Sequence, residues 1–136
     1  MINGATRVVG VIGDPVDHTA SPAMHNAAFK DLGLDYVYVA FRVGNAELSE
    51  AIEGMRGLNI AGLNVTVPHK KAVMAYLDVI SPEARAIGAV NTIVNKDGRL
   101  IGHNTDAFGF TKSVELEVTL KKWPQTVVLL GAGGAA

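Results

Sequence analysis

The sequence contains no cysteine, which excludes disulfides, thiolate nucleophiles and every cysteine-containing zinc site in one step. It carries no excess of either charge: 12 basic and 13 acidic side chains leave a formal net charge of −1. A nucleic-acid surface, a polybasic membrane patch and an acidic tail are therefore not expected. No apolar run approaches the roughly 18 residues a membrane helix needs. The start, Met1-Ile2-Asn3-Gly4-Ala5-Thr6-Arg7, has no basic segment followed by an apolar core. There is no internal repeat and no low-complexity tract. The four histidines, His18, His25, His69 and His103, show no paired spacing such as H-E-x-x-H, so no metal site is expected. What is present is 136 residues that are 49% hydrophobic, enough for one domain with a real core, read as soluble and cytoplasmic.

Strand and helix signals alternate through the first half. Residues 8–12 are a short β-branched run without polar alternation, as expected of a strand covered on both faces. Ser21-Pro22 reads as a helix cap followed by proline at the first helical position, opening a helix at 22–32 that stops at Gly33. Residues 36–42 form a second strand. Asn45 is expected to cap a helix whose Leu48, Ala51, Ile52 and Met55 share one buried face. A third strand at 63–67 is broken off by Pro68, and a helix containing residues 71–77 follows.

Ser81-Pro82 repeats the cap signal and opens a short helix ending near Gly88. Residues 89–95 and 100–104 flank Lys96-Asp97-Gly98-Arg99, whose Asp-Gly pair predicts a β-hairpin that interrupts the βα alternation. Residues 106–117 read as a helix. The fold class is thus α/β, a mixed, mainly parallel twisted sheet flanked by helices.

Two domains are expected: residues 1–120, and a linker with the start of a second unit at 121–136. There, the buried-strand pattern at 126–130 runs into Gly131-Ala132-Gly133-Gly134-Ala135-Ala136, a G-x-G-x-x-A that fits the dinucleotide fingerprint of a Rossmann domain. That fingerprint needs a βαβ unit of ~30 residues. The expectation is therefore a Rossmann domain truncated just after its phosphate loop.

Three further segments carry candidate chemistry. Thr19 and Ser21 place two hydroxyls at a helix N-terminus, where donors can hold a carboxylate; capping alone would also explain Ser21. Asn64, Thr66 and Lys70 fall at or beyond the end of the third strand, where open α/β sheets bind ligands, although a lysine there is also common as solvated surface. Asn91-Thr92 and Asn104-Thr105-Asp106 bracket the hairpin with small polar groups able to bond hydroxyls, as turn residues also do.

In this order the segments resemble the shikimate dehydrogenase family, including its quinate/shikimate branch. Thr19-Ala20-Ser21 stands at the place of the family's serine-x-serine, N-V-T-V-P-x-K is present as residues 64–70, G-A-V-N-T as 88–92, N-T-D as 104–106 and G-A-G-G-A as 131–135. The resemblance implies the N-terminal substrate-binding domain of an NADP-dependent enzyme that reversibly reduces 3-dehydroshikimate to shikimate, a step toward aromatic amino acids. It implies Lys70 and Asp106 as the acid/base pair. Thr19 and Ser21 would hold the substrate carboxylate, and Asn64, Thr66, Asn91 and Asp106 would meet ring hydroxyls. Gly131, Ala132, Gly133, Gly134 and Ala135 would meet NADP (NADPH).

Residue chemistry agrees with these roles. Interconverting a secondary alcohol and a ketone needs a hydride carrier and a group that moves a proton at the oxygen. Asparagine amides both donate and accept, which suits a polyhydroxylated ring. His69 and His103 are expected as site-wall residues. Threonine at 19 narrows the carboxylate pocket by a methyl, leaving shikimate against quinate open, and Ala107 stands where the family commonly has glycine.

Without the rest of a Rossmann domain the chain is expected to be catalytically inactive alone. Its apolar end is open to pairing with a second copy as an edge strand in a homodimer. Competing readings are a quinate/shikimate dehydrogenase using NAD or NADP, a non-catalytic polyol-acid-binding module, and a structural domain sharing only the fold.

Overall fold

A computed structural model describes residues 1–117, 126, 128–131, 133 and 134. The β-branched run near the start forms β1 (Arg7–Gly13), and helix α1 (Ser21–Asp31) leads to β2 (Tyr36–Arg42). Helix α2 (Leu48–Gly57) leads to β3 (Gly62–Val65), and a 3₁₀ turn, Ala72–Tyr76, to the two-residue β4 (Val79–Ile80). Helix α3 (Pro82–Ile87), the hairpin β5 (Thr92–Lys96) and β6 (Arg99–His103), and helix α4 (Asp106–Glu117) follow.

The strands form one sheet in the order β2-β1-β3-β5-β6-β4. β1 pairs in parallel with β2 and β3, β4 pairs in parallel with β6, and β5 runs antiparallel to both β3 and β6. The predicted mixed, mainly parallel sheet is the observed one, with β5 as its single reversed strand. The hairpin turns on Asp97 at φ 52° and Gly98 at φ 85°, the left-handed pair that a tight two-residue connection requires.

The core lies between the sheet and the elements carrying Leu48, Ile52 and Met55 of α2, Val73 and Ala84. Ile52, Met55, Ile93 and Leu100 are fully buried there, each contributing about 1.5–3 kcal/mol of transfer free energy. Helix α1 contributes no buried residue and is pinned instead by polar contacts. The Asn26 amide donates to the Tyr38 carbonyl at 2.9 Å and accepts from the Tyr38 N–H at 2.8 Å, satisfying the backbone of edge strand β2.

Several boundaries differ from the pattern reading. Asn45 is not a cap: the chain spends it in a turn closed by Glu47 N–H on the Gly44 carbonyl, and α2 starts at Leu48 with Glu47 at the cap position. The segment expected as a helix at 71–77 is a 3₁₀ turn, because the chain must reach β4 at Val79 within one tight turn. β4 itself is too short to show any pattern. Thr126, Val128, Leu129 and Leu130, expected in a strand, join none of the six, and the last three are exposed. A lone strand has no ladder partner for its backbone groups. The expected linker at 121–124 lies outside the described residues, as do Val127 of the expected strand and Ala132, Ala135 and Ala136 of the glycine-rich end.

Candidate active site

The parallel strands β1, β3 and β6 all end at one edge of the sheet. Because β5 is antiparallel, its beginning lies at that same edge, so Asn91, which precedes it, joins the loops that follow the other strands. The Asn91 N–H donates to the His103 carbonyl at 3.0 Å, which sets the two ends of the hairpin side by side. Thr19, Ser21, Asn64, Thr66, Lys70, Asn91 and Asp106 thereby line one cleft of about 400 Å³, together with Pro15, Val16 and His18 among others. All seven residues that the sequence assigned to substrate and proton chemistry meet in this cleft.

Lys70 Nζ donates to Asp106 Oδ2 at 2.6 Å, and the lysine side chain is 13% exposed against 47% for the aspartate. The Lys70 carbonyl accepts from Val90 N–H at 2.8 Å, tying the loop after β3 to the segment before β5. Asp106 opens α4, with its N–H on Asn104 Oδ1 at 2.9 Å, so its carboxylate sits where a helix N-terminus favours negative charge. The other carboxylate oxygen, Oδ1, accepts from Asn91 Nδ2 at 2.7 Å. An aspartate with both oxygens accepting from positioned donors is an anion held in one orientation.

Ser21 is not the cap of α1. That position belongs to Ala20, which has no side-chain cap bond, and the Ser21 hydroxyl accepts from Thr19 Oγ1 at 3.1 Å. Relieved of a capping role, the two hydroxyls stand in the cleft wall. The histidines expected as site walls do not line it. His69 is fully buried with Nε2 2.6 Å from the Val43 carbonyl, and His103 serves through its backbone carbonyl. The residue next to Lys70 points the opposite way, so adjacency in sequence misled here.

Sequence reasoning missed the residues behind the cleft. The Tyr38 hydroxyl donates to Asn64 Oδ1 at 2.7 Å, Thr92 Oγ1 contacts both Asn64 and Asn91, and Thr105 N–H donates to Asn91 Oδ1 at 3.0 Å. Burial pushes the Tyr38 phenol above its ordinary pKa, with a hydrogen bond from Ser21 working the other way. A tyrosine in a strand gives no signal of such a role, whereas Thr92 and Thr105 did stand in the polar segments that bracket the hairpin. A larger groove of about 470 Å³, with Phe29, Tyr36 and Val94 in its walls, has mostly apolar lining and does not contain Lys70. Polar side chains converge on the smaller cleft, which makes it the candidate site.

Gly133 and Gly134 flank Lys70 together with Val67 and Pro68 around a second space of about 310 Å³. A Cβ on Gly134 would come within 3.0 Å of Lys70 Cβ, and Gly131 holds φ 113°, which side chains rarely adopt. These positions suit a group that approaches bare backbone beside the lysine.

A family profile described as the shikimate dehydrogenase substrate binding domain matches residues 11–93. A shikimate dehydrogenase (NADP(+)) from Methanocaldococcus jannaschii is 54% identical over 136 residues, covering 100% of this chain and 48% of the relative. A crystal structure of shikimate dehydrogenase in complex with NADP+ superimposes with a TM-score of 0.85 at 55% identity, covering 87% of this chain and 41% of that one. The Thermus thermophilus shikimate 5-dehydrogenase in complex with shikimate gives a TM-score of 0.87 at 43% identity, covering 95% and 49%. The chain spans about half the length of the curated relatives it matches. Among the described residues, no helix is long and apolar enough to cross a membrane.

Proposed function

The chain belongs to the shikimate dehydrogenase family, and on that premise we propose that it supplies the substrate cleft and the proton-transfer pair for the NADPH-linked, reversible reduction of 3-dehydroshikimate to shikimate. The observation that carries this reading is the 2.6 Å contact between Lys70 and Asp106 in the cleft that also holds Thr19, Ser21, Asn64, Thr66 and Asn91. Its domains are a substrate-binding unit over 1–120 and the beginning of a dinucleotide-binding unit over 121–136.

Thr19, in the loop ahead of α1, and Ser21, the first residue of α1, donate to the substrate carboxylate. Asn64, Thr66 and Asp106 meet ring hydroxyls, while Asn91 directs an amide proton at Asp106 and so holds it in place. Lys70 gives a proton to the carbonyl oxygen as it becomes a hydroxyl, and takes it back in the reverse direction. Asp106 orients the lysine for that transfer. NADP, held by Gly131, Gly133 and Gly134 with Ala132 and Ala135, supplies the hydride chemistry when bound. Buried amides and hydroxyls reject ring analogues that leave them unpaired, a source of specificity that apolar pockets lack.

The test is a titration of the protein with shikimate and with quinate, followed by backbone amide NMR. Shifts clustered around Thr19, Ser21, Asn64, Asn91 and Asp106 are expected, with shikimate the tighter ligand. Quinate binding tighter than shikimate would move the assignment to the quinate/shikimate branch, and shifts confined to another surface would remove it.

A further inference from the structure

Hydrogen bonds behind the cleft have a direction that the backbone fixes. Thr105 N–H donates to one end of the Asn91 amide at 3.0 Å, while the Asp106 carboxylate accepts from the other end at 2.7 Å. A backbone N–H cannot accept and an ionised carboxylate cannot donate, so Oδ1 and Nδ2 of Asn91 have only one assignment. Thr92 Oγ1 lies 2.9 Å from that Oδ1 and must give it its single proton. Its oxygen then accepts from Asn64 Nδ2 at 3.2 Å, which turns Asn64 Oδ1 toward the Tyr38 phenol at 2.7 Å. The phenol must therefore donate. Beside this network the Ser21 hydroxyl accepts from Thr19 at 3.1 Å.

Resting on the reading of the cleft as a site for a polyhydroxylated carboxylate, we infer that Tyr38 is its positioning residue: the phenol locks the Asn64 amide and so fixes the directional chain of hydrogen bonds that runs through Thr92 to Asn91 and Asp106. Tyr38 does not itself line the cleft. The phenol is a fixed point, 5% exposed, with its ring stacked on His25 at 4.4 Å and its backbone held by Asn26. Burial keeps it protonated and so keeps it a donor.

The two parts of the site behave differently. At Asp106 a backbone N–H and a carboxylate leave the network no freedom. At Thr19 and Ser21 the hydroxyls rotate, so an arriving carboxylate accepts from both at the expense of the one bond between them. Tyr38 cannot turn in the same way without leaving Asn64 Oδ1 unpaired, which makes it the anchor of the rigid part.

The experiment compares the protein with Tyr38→Phe, Thr92→Val and Thr92→Ser, reading side-chain amide NMR signals without ligand and shikimate affinity by calorimetry. Tyr38→Phe keeps the ring stack and removes only the hydroxyl. It is expected to move the Asn64 and Asn91 side-chain amide signals, leave backbone signals of α2 in place, and weaken shikimate by about tenfold, the factor one lost hydrogen bond produces. Thr92→Val should do the same and Thr92→Ser should restore affinity to within about twofold. An unmoved Asn64 signal in Tyr38→Phe, unchanged affinity, or a serine variant as weak as the valine one overturns the inference. If the unmodified protein does not bind shikimate, the ligand reading fails. The chain of bonds is then judged by the amide signals alone, moved supporting it and unmoved overturning it.

Discussion

Lys70 and Asp106 are 36 residues apart in the chain and 2.6 Å apart in the fold. Neither is fully withdrawn from water, yet the lysine is much the less exposed of the two, so the aspartate reaches it from the open side of the cleft. The pair joins the loop after β3 to the first residue of α4 across the reversed strand β5, and the segment ahead of β5 ties to both, through Val90 N–H on the Lys70 carbonyl and Asn91 Nδ2 on Asp106 Oδ1.

Lys70→Ala should remove the proton donor while leaving the hydroxyl and amide contacts in place. In a form with a complete dinucleotide-binding domain, turnover should fall by about 10²–10⁴-fold, the range of a lost general acid. Shikimate affinity should change far less. Steady-state kinetics beside calorimetry will separate the two effects, and a variant that keeps most of its turnover would end the assignment of Lys70 as acid/base.

Asn91→Ala takes the acceptor from Thr105 N–H and the donor from Asp106 Oδ1 at a side chain that is 8% exposed. Unpaired groups of this kind cost about 1–3 kcal/mol. Urea unfolding should show that loss, with shikimate binding weakened as well because Asp106 is no longer oriented. A variant as stable as the parent would mean that water replaces the amide without penalty.

Gly13→Ala should damage the cleft by crowding. A Cβ at residue 13 would lie 2.4 Å from Thr66 Cγ2 and 2.9 Å from the Val67 carbonyl oxygen, and backbone cannot yield as a flexible side chain does. Overpacking of this order costs about 1–3 kcal/mol. The Thr66 NMR signals should move together with the lower unfolding midpoint; a stable variant with Thr66 unmoved would contradict the close approach.

Acid should loosen the β4 edge of the sheet at Asp78. Its Oδ2 accepts from Arg56 Nη1 at 2.7 Å and from Leu100 N–H at 2.7 Å, and the Arg56 bond, then the Leu100 bond, hold the carboxyl below its usual pKa. A lowered folded-state pKa means that this stabilisation is complete above the usual carboxylate range and is lost as pH falls through it toward the folded value. Asp78→Asn should therefore be less stable than the parent near neutrality and flatter in its stability profile under acid. Parallel profiles for the two proteins, followed by urea midpoint against pH, would exclude Asp78 as a contributor.

Local chemistry wrote several elements plainly. Ser81 accepts from Ala84 N–H and Gly88 ends α3 at φ 75°, as the cap and stop signals predicted. Asp97-Gly98 turns the hairpin, and Leu48, Ile52 and Met55 are the buried face of α2. Each of these depends on residues within one turn of one another. The Ser21-Pro22 signal looked the same as Ser81-Pro82 but resolved differently, because the Ser21 hydroxyl bonds Thr19 and the helix cap falls on Ala20.

What the sequence alone determined was the alternation of elements, the hairpin, and the set of polar residues that meet in the cleft. Spacing and residue type carry that information, since strand ends and turns are where small polar side chains and glycines are needed. What only the tertiary structure decided was orientation: that His69 turns into the core while Lys70 turns to the cleft, and that Tyr38 stands behind Asn64 from another strand. Such contacts join residues brought together by sheet pairing. The hydrogen-bond direction in them is set by a backbone N–H at Thr105, a group every residue but proline possesses and no sequence pattern reveals.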